Sequence, residues 1–265
     1  MHDHAPAAGL DLVLALPFAL ALVAYAVGVM LQRQRGRRWP WFRSAAWTAG
    51  VVVAAAGFVG PLGTDAHAGF VLHMWAHLMV GMVAPLLLLA GAPVTLALRS
   101  LHVDTARRLS RMLSSWPARV LTAPVPAAVL NVGGLWVLYS TPLFEAMQQN
   151  MLLHLVVMSH FLIAGYLFTA AIIPVDPAPH RAGYLTRAVV LLLALTAHGI
   201  LAKSIYARAP LGVDVIEARS GAMLMFYAGD IVDAIIIVTL CAQWYRHGGR
   251  MLRRASATKP VADAA

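Results

Sequence analysis

The sequence predicts an all-α membrane protein, a bundle of seven transmembrane helices with the N-terminus outside and the C-terminus in the cytoplasm. Three observations carry that expectation. Of the 265 residues, 60% are hydrophobic and 12% are charged, with mean hydropathy +0.74, whereas a soluble domain is typically about 45–50% apolar and about 25% charged. Seven stretches reach or approach the roughly 20 apolar residues that cross about 30 Å of hydrocarbon. The Lys and Arg residues also segregate between alternate loops. A disordered, collagenous or disulfide-stapled chain is excluded. The single cysteine, Cys241, excludes an internal disulfide and any Cys-rich zinc or iron–sulfur site.

The first expected span, Leu10–Leu31, is no cleavable signal. The N-terminus lacks a positive leader and carries Asp3 and Asp11, and its apolar run is longer than a signal core. Ala45–Leu62 is the weakest, short and rich in Gly and Ala. Phe70–Leu98 is long enough to tilt or to run past the bilayer, and Val120–Tyr139, Met151–Ile173, Ala188–Tyr206 and Ala222–Tyr245 complete the set. Pro17, Gly81, Pro85, Pro124, Pro126, Gly133 and Gly134 lie inside the spans. They read as close packing and gentle kinks, since neighbours can satisfy a carbonyl that proline frees. No internal repeat is evident. Residues 1–247 form one transmembrane domain, and 248–265 a basic, flexible cytoplasmic tail.

Orientation follows from loop charge. Seventeen of the 20 Lys and Arg fall in the loops after spans one, three and five and in the tail; only Lys203, Arg208 and Arg219 fall on the other side. The net charge of +9 therefore serves topology and contact with the lipid bilayer, not nucleic acid.

Ionisable groups at membrane depth are costly and face an interior or a wet cavity. His73 and His77 fall in span three, His154 and His160 in span five, His198 in span six, and Asp230 and Asp233 in span seven. At 1.5 Å per residue they lie about 5 to 16 Å below the outer surface, one layer built from four helices. His73 and His77 share a face at i,i+4, extended by Gly81 and Pro85. Met151, His154 and Met158 form a second stripe, with His160 about 120° round the helix from His154. Asp230 and Asp233 are one turn apart, with Met223 and Tyr227 near the same face. Imidazole suits copper, zinc and iron, and thioether favours copper(I), so the layer reads as a metal or cofactor site. The alternative is hydrogen-bonded packing histidines and core methionines. The two acids serve either as counter-charges or to orient a metal-bound imidazole. His2, His4 and His67, with Asp3 and Asp65, make a terminal copper(II) trap or a mobile end with no role. HExxH, GxSxG and phosphate-loop motifs are missing, so catalysis is not expected.

Three segments resemble the polytopic CtaG family of cytochrome c oxidase assembly factors, associated with caa-type oxidases. The first is His73-Met74-Trp75-Ala76-His77-Leu78-Met79 running into Ala84-Pro85 and Gly91-Ala92-Pro93. The second is Met151-Leu152-Leu153-His154 with His160. The third is Glu217-Ala218-Arg219-Ser220-Gly221-Ala222-Met223-Leu224-Met225-Phe226 continuing into Gly229-Asp230, where Glu217, Arg219 and Phe226 replace the family's Asp, Gln and Trp. The resemblance extends over about residues 10–245.

It implies a role in maturing a haem–copper oxidase in a bacterial cytoplasmic membrane, by handling copper for its metal centre. On that reading His73, His77 and His154 are the leading ligands, followed by His198 and His160. Met151, Met158 and Met74 are soft auxiliaries, and Asp230 and Asp233 support the imidazoles. The partner is an oxidase subunit, and self-association is left open. Two rivals stand beside it: a haem b electron carrier with two axial histidines, and a metal-free scaffold that docks an oxidase subunit.

Overall fold

A computed structural model describes residues 5–59, 69–177 and 181–257. Every regular element among them is helical. The chain runs α1 (Ala5–Gln34), α2 (Trp41–Ala56), α3 (Phe70–Leu78), α4 (Ala84–Ala90), α5 (Pro93–Ser100), α6 (Val103–Leu113), α7 (Trp116–Leu121), α8 (Pro124–Ala128), α9 (Gly134–Ser140), α10 (Leu143–Gln149), α11 (Met151–Ile172), α12 (Tyr184–Ala207) and α13 (Val215–Ala257). Among the described residues, five helical segments are long and apolar enough to cross a membrane: Asp11–Gln34, Phe70–Ser100, Met151–Ile172, Tyr184–Ala207 and Val215–Arg250. The pair Pro124–Ser140 and Leu143–Gln149, bent by 81°, makes up to six.

The expected seventh crossing, Ala45–Leu62, corresponds to α2, a helix of 16 residues. At 1.5 Å per residue it is about 24 Å long, short of the hydrocarbon thickness. Its small residues explain its place. Gly50 packs on Leu87 and Leu88, Gly57 on Val80, and Trp47 on Gly91, so α2 runs antiparallel along span three and reaches only as far as Val80. Residues 60–68 lie outside the described residues, as do His2, Asp3, His4, Asp65 and His67. At the other end α13 continues to Ala257, through ten residues of the segment expected to be a flexible tail.

Prolines do more than kink two of the spans. Pro85 has no N–H to give the carbonyl of Gly81, four residues earlier. The helix widens there into a π-turn, Met79–Val83, between α3 and α4. The exposed side of that turn is filled by α11: a β-carbon on Gly165 would collide with the Gly81 carbonyl and come within 2.9 Å of Pro85. A second π-turn, Val129–Gly133, follows Pro124 and Pro126 and joins α8 to α9.

The loop ends group as alternating crossings require. Arg35 donates to the Arg99 carbonyl at 2.7 Å, and Asp176 receives the Thr95 N–H at 2.8 Å. Tyr184 donates to the Gln243 carbonyl at 3.2 Å. These contacts tie the arginine-rich segments to one end of the bundle. At the other end the Glu217 carboxylate accepts the Phe70 N–H at 2.8 Å, beside Gly69, whose φ of +87° suits glycine. Of four apolar clusters among the described residues, two large ones fill most of the interior. One, with Phe70, Met74, Phe144 and Phe161, lies toward the Glu217 end; the other, with Leu89, Phe168, Ile172 and Leu240, lies toward the Asp176 end.

Candidate metal centre

A cavity of about 30 Å³ opens where the two apolar clusters meet, lined by His77, Gly81, Met82, Asn131, His198 and Asp233 among others. That is room for an ion or a water. His77 is 2% exposed, and neither of its ring nitrogens has a hydrogen-bond partner. His198, 7% exposed, has an unpartnered Nε2. Buried polar atoms without partners are rare because each costs about 1–3 kcal/mol, so two such rings facing one cavity point to a missing partner.

Glycines seat both rings. A β-carbon on Gly81 would stand 3.4 Å from His77 Cε1, and one on Gly229 would stand 3.0 Å from His198 Cε1. Asp233, one turn past Gly229, is buried and reaches the same cavity. Asp230 is exposed on the helix surface. The π-turn brings in Met82. In a regular helix, a residue five after His77 sits about 140° round the axis. The extra residue of the π-turn returns it toward the His77 face.

The other predicted residues fall elsewhere. His73 Nε2 stands 2.9 Å from the Tyr139 hydroxyl, which lies 3.8 Å from Met74 Sδ, within a cage of Phe70 and Phe144. His160 Nε2 meets the Leu130 carbonyl at 3.1 Å in the second π-turn, and Gly134 has no side chain because one would strike that nitrogen. His154 is half-buried with an unpartnered Nε2, within electrostatic range of His73 but not at the cavity wall. Met158 packs with Phe58, Ala76 and Val80, and Met151 is 39% exposed. The histidine layer therefore separates into bonded members, His73 and His160, and a cavity pair, His77 and His198.

Tyr139, Asn131 and Met82 were not singled out from the sequence. Pro85 was the available signal for Met82, because a proline inside a helix frees the carbonyl four residues earlier and disturbs the turn before it. Nothing in the periodicity marked Tyr139, whose role depends on a neighbouring helix.

Among the described residues, no three of His, Cys, Asp and Glu stand close enough to hold a metal ion. What the cavity offers is two imidazoles, one thioether and one carboxylate. That mixture of nitrogen and soft sulfur donors suits copper(I) better than zinc or a hard cation.

A multi-helix membrane domain with a buried histidine–methionine cavity is the class that fold and site define. The family model described as "Cytochrome c oxidase caa3 assembly factor" matches residues 23–247, and this chain belongs to that family. A protein of Mycobacterium leprae is 30% identical over 253 residues, covering 88% of this chain and 38% of the relative. Proteins of Mycobacterium bovis and Mycobacterium tuberculosis are each 31% identical over 255 residues, with the same coverage. All three are described as uncharacterized, and the chain spans about two fifths of their length. No solved structure matches.

Proposed function

We propose that this chain assists assembly of a haem–copper oxidase by holding copper(I) as cargo in the cavity between His77 and His198. The unpartnered ring nitrogens of those two buried histidines carry the reading. His77 and His198 supply neutral imidazole donors, and Met82 supplies a weaker thioether that favours the cuprous state. An ionised Asp233 balances one positive charge. Copper(I) plus one carboxylate is neutral, whereas copper(II) would leave a net charge in a low-dielectric interior. Few strong donors make the ion exchangeable, as cargo must be. In this reading the N-terminus is outside, the C-terminus is in the cytoplasm of a bacterial inner membrane, and the recipient is an oxidase subunit.

The haem reading is less well supported, because a cavity of about 30 Å³ accepts an ion and not a macrocycle. The deciding experiment is metal analysis with an optical spectrum on purified protein loaded with copper(I). One copper per chain, lost in both His77→Ala and His198→Ala, is expected. A stoichiometric Soret band would establish haem instead. Parental copper in both variants would place the metal away from these histidines, and no bound copper with oxidase assembly undisturbed by either variant would leave the metal-free scaffold.

A further inference from the structure

Toward the end of the bundle away from the histidines, the structure holds one buried and three exposed arginines around a shared opening, a concentration of positive charge that the copper reading does not use. Arg187, on the first turn of α12, is 2% exposed. One amino group donates to the Ile172 carbonyl at 3.1 Å, and the guanidinium stacks 4.1 Å over the Tyr184 ring, but its Nε is buried without a partner. It lines a largely apolar cavity of about 180 Å³ together with Leu113, Tyr166, Leu167 and Arg181. Arg181 also lines an adjoining open cleft of about 620 Å³ with Arg246 and Arg250. Four guanidinium groups thus meet around two connected spaces.

The one acid in the cavity wall is engaged elsewhere. Asp176 caps α5, accepting from the Val94 and Thr95 N–H groups and from Thr95 Oγ1 at 2.6 Å. Among the described residues no carboxylate lies within 4 Å of any of the four arginines. A guanidinium at 2% exposure needs a counter-charge. The ligand that fits is anionic at the cleft and apolar where it enters the cavity. Tyr184 stacks on Trp244, with ring centroids 5.9 Å apart, and Tyr245 is 85% exposed, the aromatic signature of a membrane–water interface.

We propose that this is a binding site for an anionic phospholipid, with the phosphate among Arg181, Arg246 and Arg250, beside Arg187, and part of an acyl chain against the Leu113–Leu167 wall. Basic pockets between transmembrane helices hold anionic headgroups in this way. The site stands independently of the copper reading: its headgroup arginines lie toward the Asp176 end, with Arg187 eleven residues, about 16 Å along α12, from His198.

Thermal unfolding of the full chain in neutral detergent tests it, with phosphatidylglycerol, phosphatidylcholine or inorganic phosphate added. Phosphatidylglycerol alone is expected to raise the midpoint. Arg246→Gln/Arg250→Gln, at exposed positions that should not disturb folding, is expected to weaken that lipid about tenfold or more while leaving the midpoint in phosphatidylcholine unchanged. Arg187→Gln should lose the response altogether; if it fails to fold, the double variant still decides. Equal stabilisation by inorganic phosphate would overturn the lipid assignment in favour of a free-anion site. Equal response to both lipids, or a double variant that keeps the parental preference, would overturn the site.

Discussion

Gly229 and His198 lie on neighbouring helices, and a β-carbon on the glycine would come within 3.0 Å of the imidazole Cε1. The absent side chain lets the ring turn its unpartnered Nε2 toward the cavity. Gly229→Ala therefore should move the ring by a few tenths of an ångström without unfolding the helix. Better helix propensity, about 1 kcal/mol, offsets much of the steric cost. The expected outcome is a melting temperature near the parent's with copper(I) affinity down about tenfold, the scale of a disturbed ligand orientation. Competition with a colourimetric copper(I) chelator measures it.

Histidines that look alike in sequence should behave differently. His77→Ala and His198→Ala should each abolish stoichiometric copper, while His160→Ala and His154→Ala should keep it, since neither residue lines the cavity. Metal analysis of four purified variants tests this. Copper lost in His160→Ala but kept in His198→Ala would move the site to span five.

Tyr139→Phe should act on stability rather than on metal. It removes the hydroxyl that stands 2.9 Å from His73 Nε2 and leaves that buried nitrogen without a partner. A loss of about 1–3 kcal/mol is expected in denaturant or thermal unfolding, with copper stoichiometry unchanged.

Asp233 and Asp230 should separate in the same way. Asp233→Asn keeps the shape and removes the balancing charge, so copper(I) affinity should fall about 10–100-fold. Asp230→Asn should be near neutral, because Asp230 is on the exposed surface of the helix. Affinity in the parent should also fall as pH drops from 8 to 5, since protons compete for the imidazoles and the carboxylate. A flat profile would remove these groups from the site.

The orientation can be checked with single cysteines in a Cys241→Ser background. Positions 108 and 35 should resist an impermeant thiol reagent in intact cells, and position 214 should react, because the arginine-rich loops belong on the cytoplasmic side. Labelling at 108 would invert the topology.

The membrane class and most of the spans were legible in the sequence, as was the presence of histidines and acids within the apolar segments. Length, apolarity and charge position are properties of each segment alone, and a helix in hydrocarbon must satisfy its own backbone whatever surrounds it. The short reach of α2 was partly legible, in its glycines and alanines, but its contacts with Leu88 and Val80 were not. Periodicity could align His73 with His77 and Met151 with His154, since residues three or four apart share a face. It could not say which histidine already had a partner. Tyr139 comes to His73 and the Leu130 carbonyl comes to His160 from other helices, and the π-turns at Met79–Val83 and Val129–Gly133 change which residues face inward. The sequence by itself determined that histidines and acids would fall inside the apolar segments. Only the packing of helices decided that His77, His198, Met82 and Asp233 share a cavity while His73 and His160 find hydrogen-bond partners elsewhere. Membrane depth is set by distance along one chain segment, but a partner is set by the rotation and spacing of two.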